Sequence, residues 1–163
     1  MKKYFFIISA LGFIFLSSCE KDDFCVQTPI TPSLILRFYD KSDATKLKSV
    51  QRFSIVAASK GTDSLFTGQN TDSIAIPLNG LANKTVYTLK MNDINNLAVD
   101  NKTATLTIDY SVEEEYISRS CGYRFIFKDI KISSSSPSWI DRLSTNEVSI
   151  VNLQNKAHVQ VFH

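Results

Sequence analysis

Thr103-Ala104-Thr105-Leu106-Thr107-Ile108-Asp109-Tyr110-Ser111-Val112 decides the fold. The even positions from Ala104 to Val112 are apolar and the odd positions from Thr103 to Ser111 are polar. Successive side chains of a strand point to opposite faces, so this decapeptide makes one dry face and one wet face. That is the signature of an antiparallel sheet packed on one side only. Helical periodicity is nearly absent elsewhere, and comparable alternation recurs at Leu34–Tyr39, Phe53–Ala57, Ser73–Leu78 and Thr85–Met91. Pro77 cannot donate to a ladder, which places the fourth of these runs at an edge or a strand end.

Between Tyr116 and Ile132 the aromatics Tyr123, Phe125 and Phe127 recur at spacing two after Cys121-Gly122, and the segment reads as a core strand. Val148–Val151 and Val159–Phe162, separated by polar residues around Gln154-Asn155-Lys156, read as a closing hairpin. About seven to nine antiparallel strands of this length favour an all-β, immunoglobulin-like β-sandwich, with a small β-barrel as the alternative. Lys41–Ser49 and the Ser133–Ser138 stretch break the pattern and read as loops. The only tryptophan, Trp139, follows the second loop. It reads as a ring packed over a sheet edge or as a platform for a ligand.

The N-terminus has a different character. Met1-Lys2-Lys3 precedes an apolar stretch from Tyr4 to Leu16, and small residues then lead to Cys19. A membrane-spanning helix needs about 20 apolar residues, and this stretch is shorter. A secretory signal fits its layout. Leu16-Ser17-Ser18-Cys19 resembles the lipobox of bacterial lipoproteins, which implies cleavage after residue 18 and a lipid on the Cys19 thiol. The organisation expected is a signal peptide at 1–18, a lipidated Cys and tether at 19–32, and one domain at 33–163. Lys21-Asp22-Asp23 resembles the export signal of Bacteroidota-type lipoproteins. The expected location is the outer membrane, facing either the periplasm or the cell surface.

Removing Lys2 and Lys3 with the signal leaves as many basic as acidic residues, because the whole chain has 18 Lys and Arg against 16 Asp and Glu. No basic stripe remains to recommend nucleic acid as a partner. Setting Cys19 aside, Cys25 and Cys121 form an even pair in an oxidising compartment and are expected to form a disulfide. Free thiols or a metal pair are the alternatives, although His158 and His163 lack zinc-ligand spacing.

Signatures of catalysis are sparse. No Gly-rich phosphate loop, His-x-x-x-His pair or Gly-x-Ser-x-Gly elbow occurs, and no cofactor is implied. Glu113-Glu114-Glu115 offers carboxylates, but neighbours on a strand point to opposite faces, so the run reads as a solvated turn. The chain is therefore expected not to be an enzyme. Arg119, Tyr123 and Arg124 are candidates to line a site for an anionic or sugar ligand, with Trp139 as a further candidate. Tyr123 reads alternatively as a core residue and Gly122 as a bulge beside the disulfide. Asp63-Ser64-Leu65 and Asp72-Ser73-Ile74 resemble the O-glycosylation sequon of Bacteroidota secreted proteins, which makes Ser64 and Ser73 candidate acceptors.

Three segments, Thr28-Pro29 through Leu34–Asp40, Arg119–Phe125 and Ala157–Phe162, together resemble a Bacteroidota-type lipoprotein family of unknown function. The resemblance covers most of the chain after the signal. It implies that a Cys soon after the lipidated one pairs with the Cys of a Cys-Gly-Tyr motif, here Cys25 with Cys121. The first functional expectation is a lipid-anchored, non-catalytic module binding a protein or glycan of the envelope. The second is a structural or assembly lipoprotein whose edge strands extend a partner's sheet. A hydrolase comes third.

Overall fold

A computed structural model describes residues 25, 30–61, 63–93, 101–145, 150–151 and 157–163. The proposed signal peptide, Cys19 and the residues around Gln154 lie outside the described residues. Ten strands form two sheets, and among the described residues a three-residue 3-10 turn at Ala58–Lys60 is the only helical element. The strands are β1 (Leu34–Tyr39), β2 (Val50–Ala57), β3 (Ser64–Thr71), β4 (Ser73–Ile76), β5 (Lys84–Met91), β6 (Lys102–Ser118), β7 (Gly122–Ser134), β8 (Arg142–Thr145), β9 (Ile150–Val151) and β10 (Val159–Phe162). The smaller sheet has the order β4-β1-β10-β8 and the larger the order β3-β2-β5-β6-β7-β9. Both sheets end in edges, so the molecule is a β-sandwich and not a closed barrel.

The core lies between the sheets. Leu34, Leu36 and Phe38 of β1 and Val159 and Val161 of β10 meet Phe53, Ile55, Leu89, Leu106 and Ile108 of the larger sheet. The decisive decapeptide behaves as read: Ala104, Leu106, Ile108 and Tyr110 are buried, whereas Thr103, Thr105 and Ser111 are exposed. Pro77 directly follows β4, an edge strand.

Three features depart from the simple pattern. First, β1 and β10 pair in parallel, Leu36 opposite Val159 and Phe38 opposite Val161, so the strands are not all antiparallel. Second, the last two apolar runs are not a hairpin. Ile150–Val151 pairs with β7 in the larger sheet, and β10 lies in the smaller sheet between β1 and β8. A local pattern of two apolar runs and a turn states only that each run is half-buried, and the two sheets offer each run a separate place. Third, bulges change which residues face inward. Arg52 (φ 43°) and Asp129 (φ 52°) sit where the β2–β3 and β6–β7 registers slip. The inward set of β2 switches from Val50 to Phe53 and Ile55, and that of β7 from Phe127 to Ile130. Asp tolerates this left-handed conformation better than most residues, and Ser111 Oγ donates to Asp129 Oδ2 at 2.8 Å across the bulge.

Strand β6 outruns its surroundings. Its pairing with β5 covers Lys102 to Asp109, while its pairing with β7 continues to Ser118. From Glu113 outward the β6–β7 hairpin forms a two-stranded arm. Phe125 at the base of this arm packs onto the backbone of Gly80, where a Cβ would overlap the phenyl ring. Gly80→Ala is therefore expected to overpack the contact and lower stability by about 1–3 kcal/mol, measured by chemical denaturation.

Candidate functional site

The four sequence candidates for binding fall at opposite ends of β6. Arg119, Tyr123 and Arg124 belong to the arm, and Trp139 follows β7 beside the start of β6. On the arm, Arg124 Nε donates to Glu115 Oε2 at 2.5 Å, and the guanidinium closes an ion pair with the same carboxylate. Glu113 pairs likewise with Lys128. The Glu run is thus solvated but lies within β6 and not in a turn. Tyr123 is not a core residue: it is 66 % exposed and packs edge-to-face on Tyr116, which is 54 % exposed, at 5.3 Å. The alternation Phe127, Phe125, Tyr123 continues the inner face of the sheet past the point where the short strands of the smaller sheet can cover it. Gly122 has φ 71° and no atom near its absent Cβ, so it serves the bulged turn by its conformation and not by close approach.

Cys25 and Cys121 are joined by a disulfide, with Cα atoms 4.8 Å apart and a sequence separation of 96. The crosslink lies at the tip of the arm. Thr31 Oγ1 accepts the Phe125 N–H at 3.3 Å, a second attachment of the N-terminal segment to the same hairpin.

At the other end, Trp139 lines a cleft of about 520 Å³ together with Lys41, Lys48, Asn92, Lys102 and His163. Pockets for small ligands are typically about 300–1,000 Å³. The β1–β2 loop supplies Lys41 and Lys48, the end of β5 leads to Asn92, and the start of β6 supplies Lys102. Trp139 Nε1 donates to Leu89 O at 3.4 Å, and its ring lies 6.3 Å from Phe38, 6.4 Å from Phe53 and 5.5 Å from His163. The ring is both partly packed on the core and open to the cleft.

The cleft wall is fixed by polar contacts. Asp40 Oδ1 accepts the Ser42 N–H at 2.7 Å, and Asp40 Oδ2 meets Lys48 Nζ at 3.1 Å. The Ser42 amide, followed by Lys48, holds the Asp40 carboxyl at about 2, below its ordinary value. Lys48 Nζ also donates to His163 O at 2.9 Å, and His163 Nε2 donates to Lys48 O at 3.1 Å. Burial lowers the His163 pKa despite that hydrogen bond, which leaves the imidazole neutral at physiological pH. Lys41 and Lys102, both exposed, stand at the rim with one exposed carboxylate, Asp141. With Lys48 paired to Asp40, Lys41 and Lys102 against Asp141 leave the cleft one cation in excess.

The remaining candidates have structural partners. His158 is 5 % exposed, and its Nδ1 accepts the Ile35 N–H at 2.8 Å. Ser64 and Ser73 are exposed residues whose hydroxyls donate to Ile55 O at 2.9 Å and Leu36 O at 3.3 Å. A glycan on either hydroxyl would replace the donor of that bond. No group of three or more His, Cys, Asp or Glu suited to a metal ion occurs among the described residues. Sequence reasoning singled out Trp139 but missed Lys41, Lys48 and Lys102, because the β1–β2 loop and the start of β6 are distant in sequence and only the sandwich brings them together.

Residues 52–163, from the bulge of β2 to the last residue of the sequence, match the model of a family of unknown function, DUF6452. The chain belongs to DUF6452. The matched region includes Cys121, the whole β6–β7 arm and the Trp139 side of the cleft, whereas β1 and Cys25 precede it. No curated protein and no solved structure matches the chain.

Proposed function

We propose that this DUF6452 protein is a Bacteroidota-type lipoprotein of the outer membrane, anchored through Cys19, and that it is a non-catalytic module binding an acidic glycan of the envelope in the Trp139 cleft. The observation that carries this reading is the convergence of Trp139 with Lys41 and Lys102 on one concavity of ligand size, whose third lysine, Lys48, is held by Asp40 and His163 O. An aromatic face suits the apolar face of a sugar ring, and lysines suit its carboxylate or sulfate groups. The fixed wall of Asp40, Lys48 and His163 supports binding with little reorganisation. Catalysis is a weaker reading, because His163 Nε2 is committed to a backbone carbonyl and two Glu side chains of the arm are committed to ion pairs.

Assembly by edge-strand addition is also less favoured. Strand β3 carries three register shifts against β2, β4 and β8 have four residues each, and Pro77 follows β4. Such features blunt an edge against further pairing.

The chain has one tryptophan, so its emission reports the cleft directly. Titration with oligogalacturonides is expected to change Trp139 emission saturably, and uncharged malto-oligosaccharides are expected to leave it unchanged. Lys102→Ala should weaken the binding about 10-fold or more, the lower end of the value of one charge-assisted contact. Equal responses to charged and neutral sugars, or none to either, would reject the acidic-glycan reading.

A further inference from the structure

The arm presents an apolar feature that the fold leaves open and that a binding cleft does not require. Tyr116 and Tyr123 lie on the inward face of the larger sheet, beyond the reach of the smaller one, and more than half of each is exposed. Two residues from Tyr123 is Cys121, the point where the N-terminal segment is covalently fixed to the domain. Counting from there toward the proposed anchor, Cys25 is six residues from Cys19, and six residues of fully extended chain span at most about 20–22 Å. The cleft lies the other way. From Ser118 back to Lys102, a strand of 17 residues reaches about 50 Å at roughly 3.3 Å per residue.

We infer that the Cys25–Cys121 disulfide orients the domain on its membrane: Tyr116 and Tyr123 at the end of the arm rest against the lipid headgroups, and the Trp139 cleft opens away from the bilayer. This rests on the lipidation of Cys19. Tyrosine suits the headgroup layer because its ring is apolar and its hydroxyl remains wet. Two or three acyl chains provide the stable anchoring, so the tyrosine contact needs to supply only a preferred orientation. Without the crosslink, the first described attachment of the N-terminal segment to the hairpin after Cys19 would be Thr31 beside Phe125, twelve positions from Cys19 instead of six. The consequence for the cleft is access to ligands approaching from the side opposite the anchor.

The test uses the full-length lipoprotein, expressed with lipidation and reconstituted in phosphatidylethanolamine–phosphatidylglycerol vesicles containing a nitroxide-headgroup lipid. Wild type reports from Trp139 alone. Tyr123→Trp combined with Trp139→Phe reports from the arm, and if that variant does not fold, Tyr123→Trp in the native background reads the arm as added emission. The arm tryptophan is expected to be quenched several-fold more strongly than Trp139. Cys25→Ser with Cys121→Ser, checked by circular dichroism to be folded, should abolish most of the difference, and if it unfolds, a Gly-Ser insertion of about 15 residues between Cys19 and Cys25 should do the same with the disulfide intact. Equal quenching at the two positions, or stronger quenching of Trp139, would overturn the orientation. A contrast that survives loss of both cysteines would overturn the role of the disulfide. Flotation of the vesicles separates these results from failure of the premise: wild type that does not float lacks the anchor, and the orientation falls with it.

Discussion

Replacing both Cys25 and Cys121 with Ser is expected to lower the free energy of unfolding by about 4–5 kcal/mol. The bond closes a separation of 96 residues, and in the chain-entropy account a crosslink restricts the unfolded ensemble more as the loop it closes lengthens. Domains of this size have a net stability of about 5–15 kcal/mol, so the variant would stand near the limit of folding. Denaturant midpoints of wild type with and without a reductant should differ in the same direction as wild type and variant. Unchanged midpoints would mean that the N-terminal segment contributes nothing to the constraint.

Phe38→Ala is expected to cost about 3–5 kcal/mol, the usual range for emptying a fully buried aromatic position. Phe38 is completely buried on β1 and stands 5.2 Å from Phe53, 6.3 Å from Trp139 and 6.1 Å from His163. Its removal therefore opens a cavity in the core and takes away the support behind the cleft. Two readouts should move together: the denaturation midpoint falls, and Trp139 emission shifts to the red as water reaches the indole. A loss of stability with unchanged Trp139 emission would show that the ring holds its place without Phe38.

Period two was enough to identify a sandwich because most core positions are strand positions with one wet neighbour on each side. Ala104, Leu106, Ile108 and Tyr110 obey it without interruption. Where it misled, the cause was non-local. Tyr123 follows the same period as Phe127, but burial requires a second layer, and the smaller sheet does not extend over the arm. Arg52 and Asp129 shift the inward phase through positive φ at residues with no glycine to signal it. The separation of β9 from β10 depends on which sheet each run joins, information absent from either run. The Cys25–Cys121 bond was legible because setting Cys19 aside left two thiols to pair. The cleft was half legible: an isolated Trp after a Ser-rich loop attracts notice, whereas Lys41, Lys48 and Lys102 are ordinary surface lysines until β1, β2 and β6 bring them around it.

Ligand binding is proposed for the Trp139 cleft and not for the β6–β7 arm. Amide and indole chemical shifts of the isotope-labelled protein, recorded during titration with an oligogalacturonide, test it most directly. Shifts confined to the Trp139 indole N–H and the amides of Asn92, Lys102 and Ser138 are predicted, with Tyr116 and Tyr123 unmoved. Shifts centred on Tyr116, Tyr123 and Arg124, with the Trp139 indole unchanged, would contradict it.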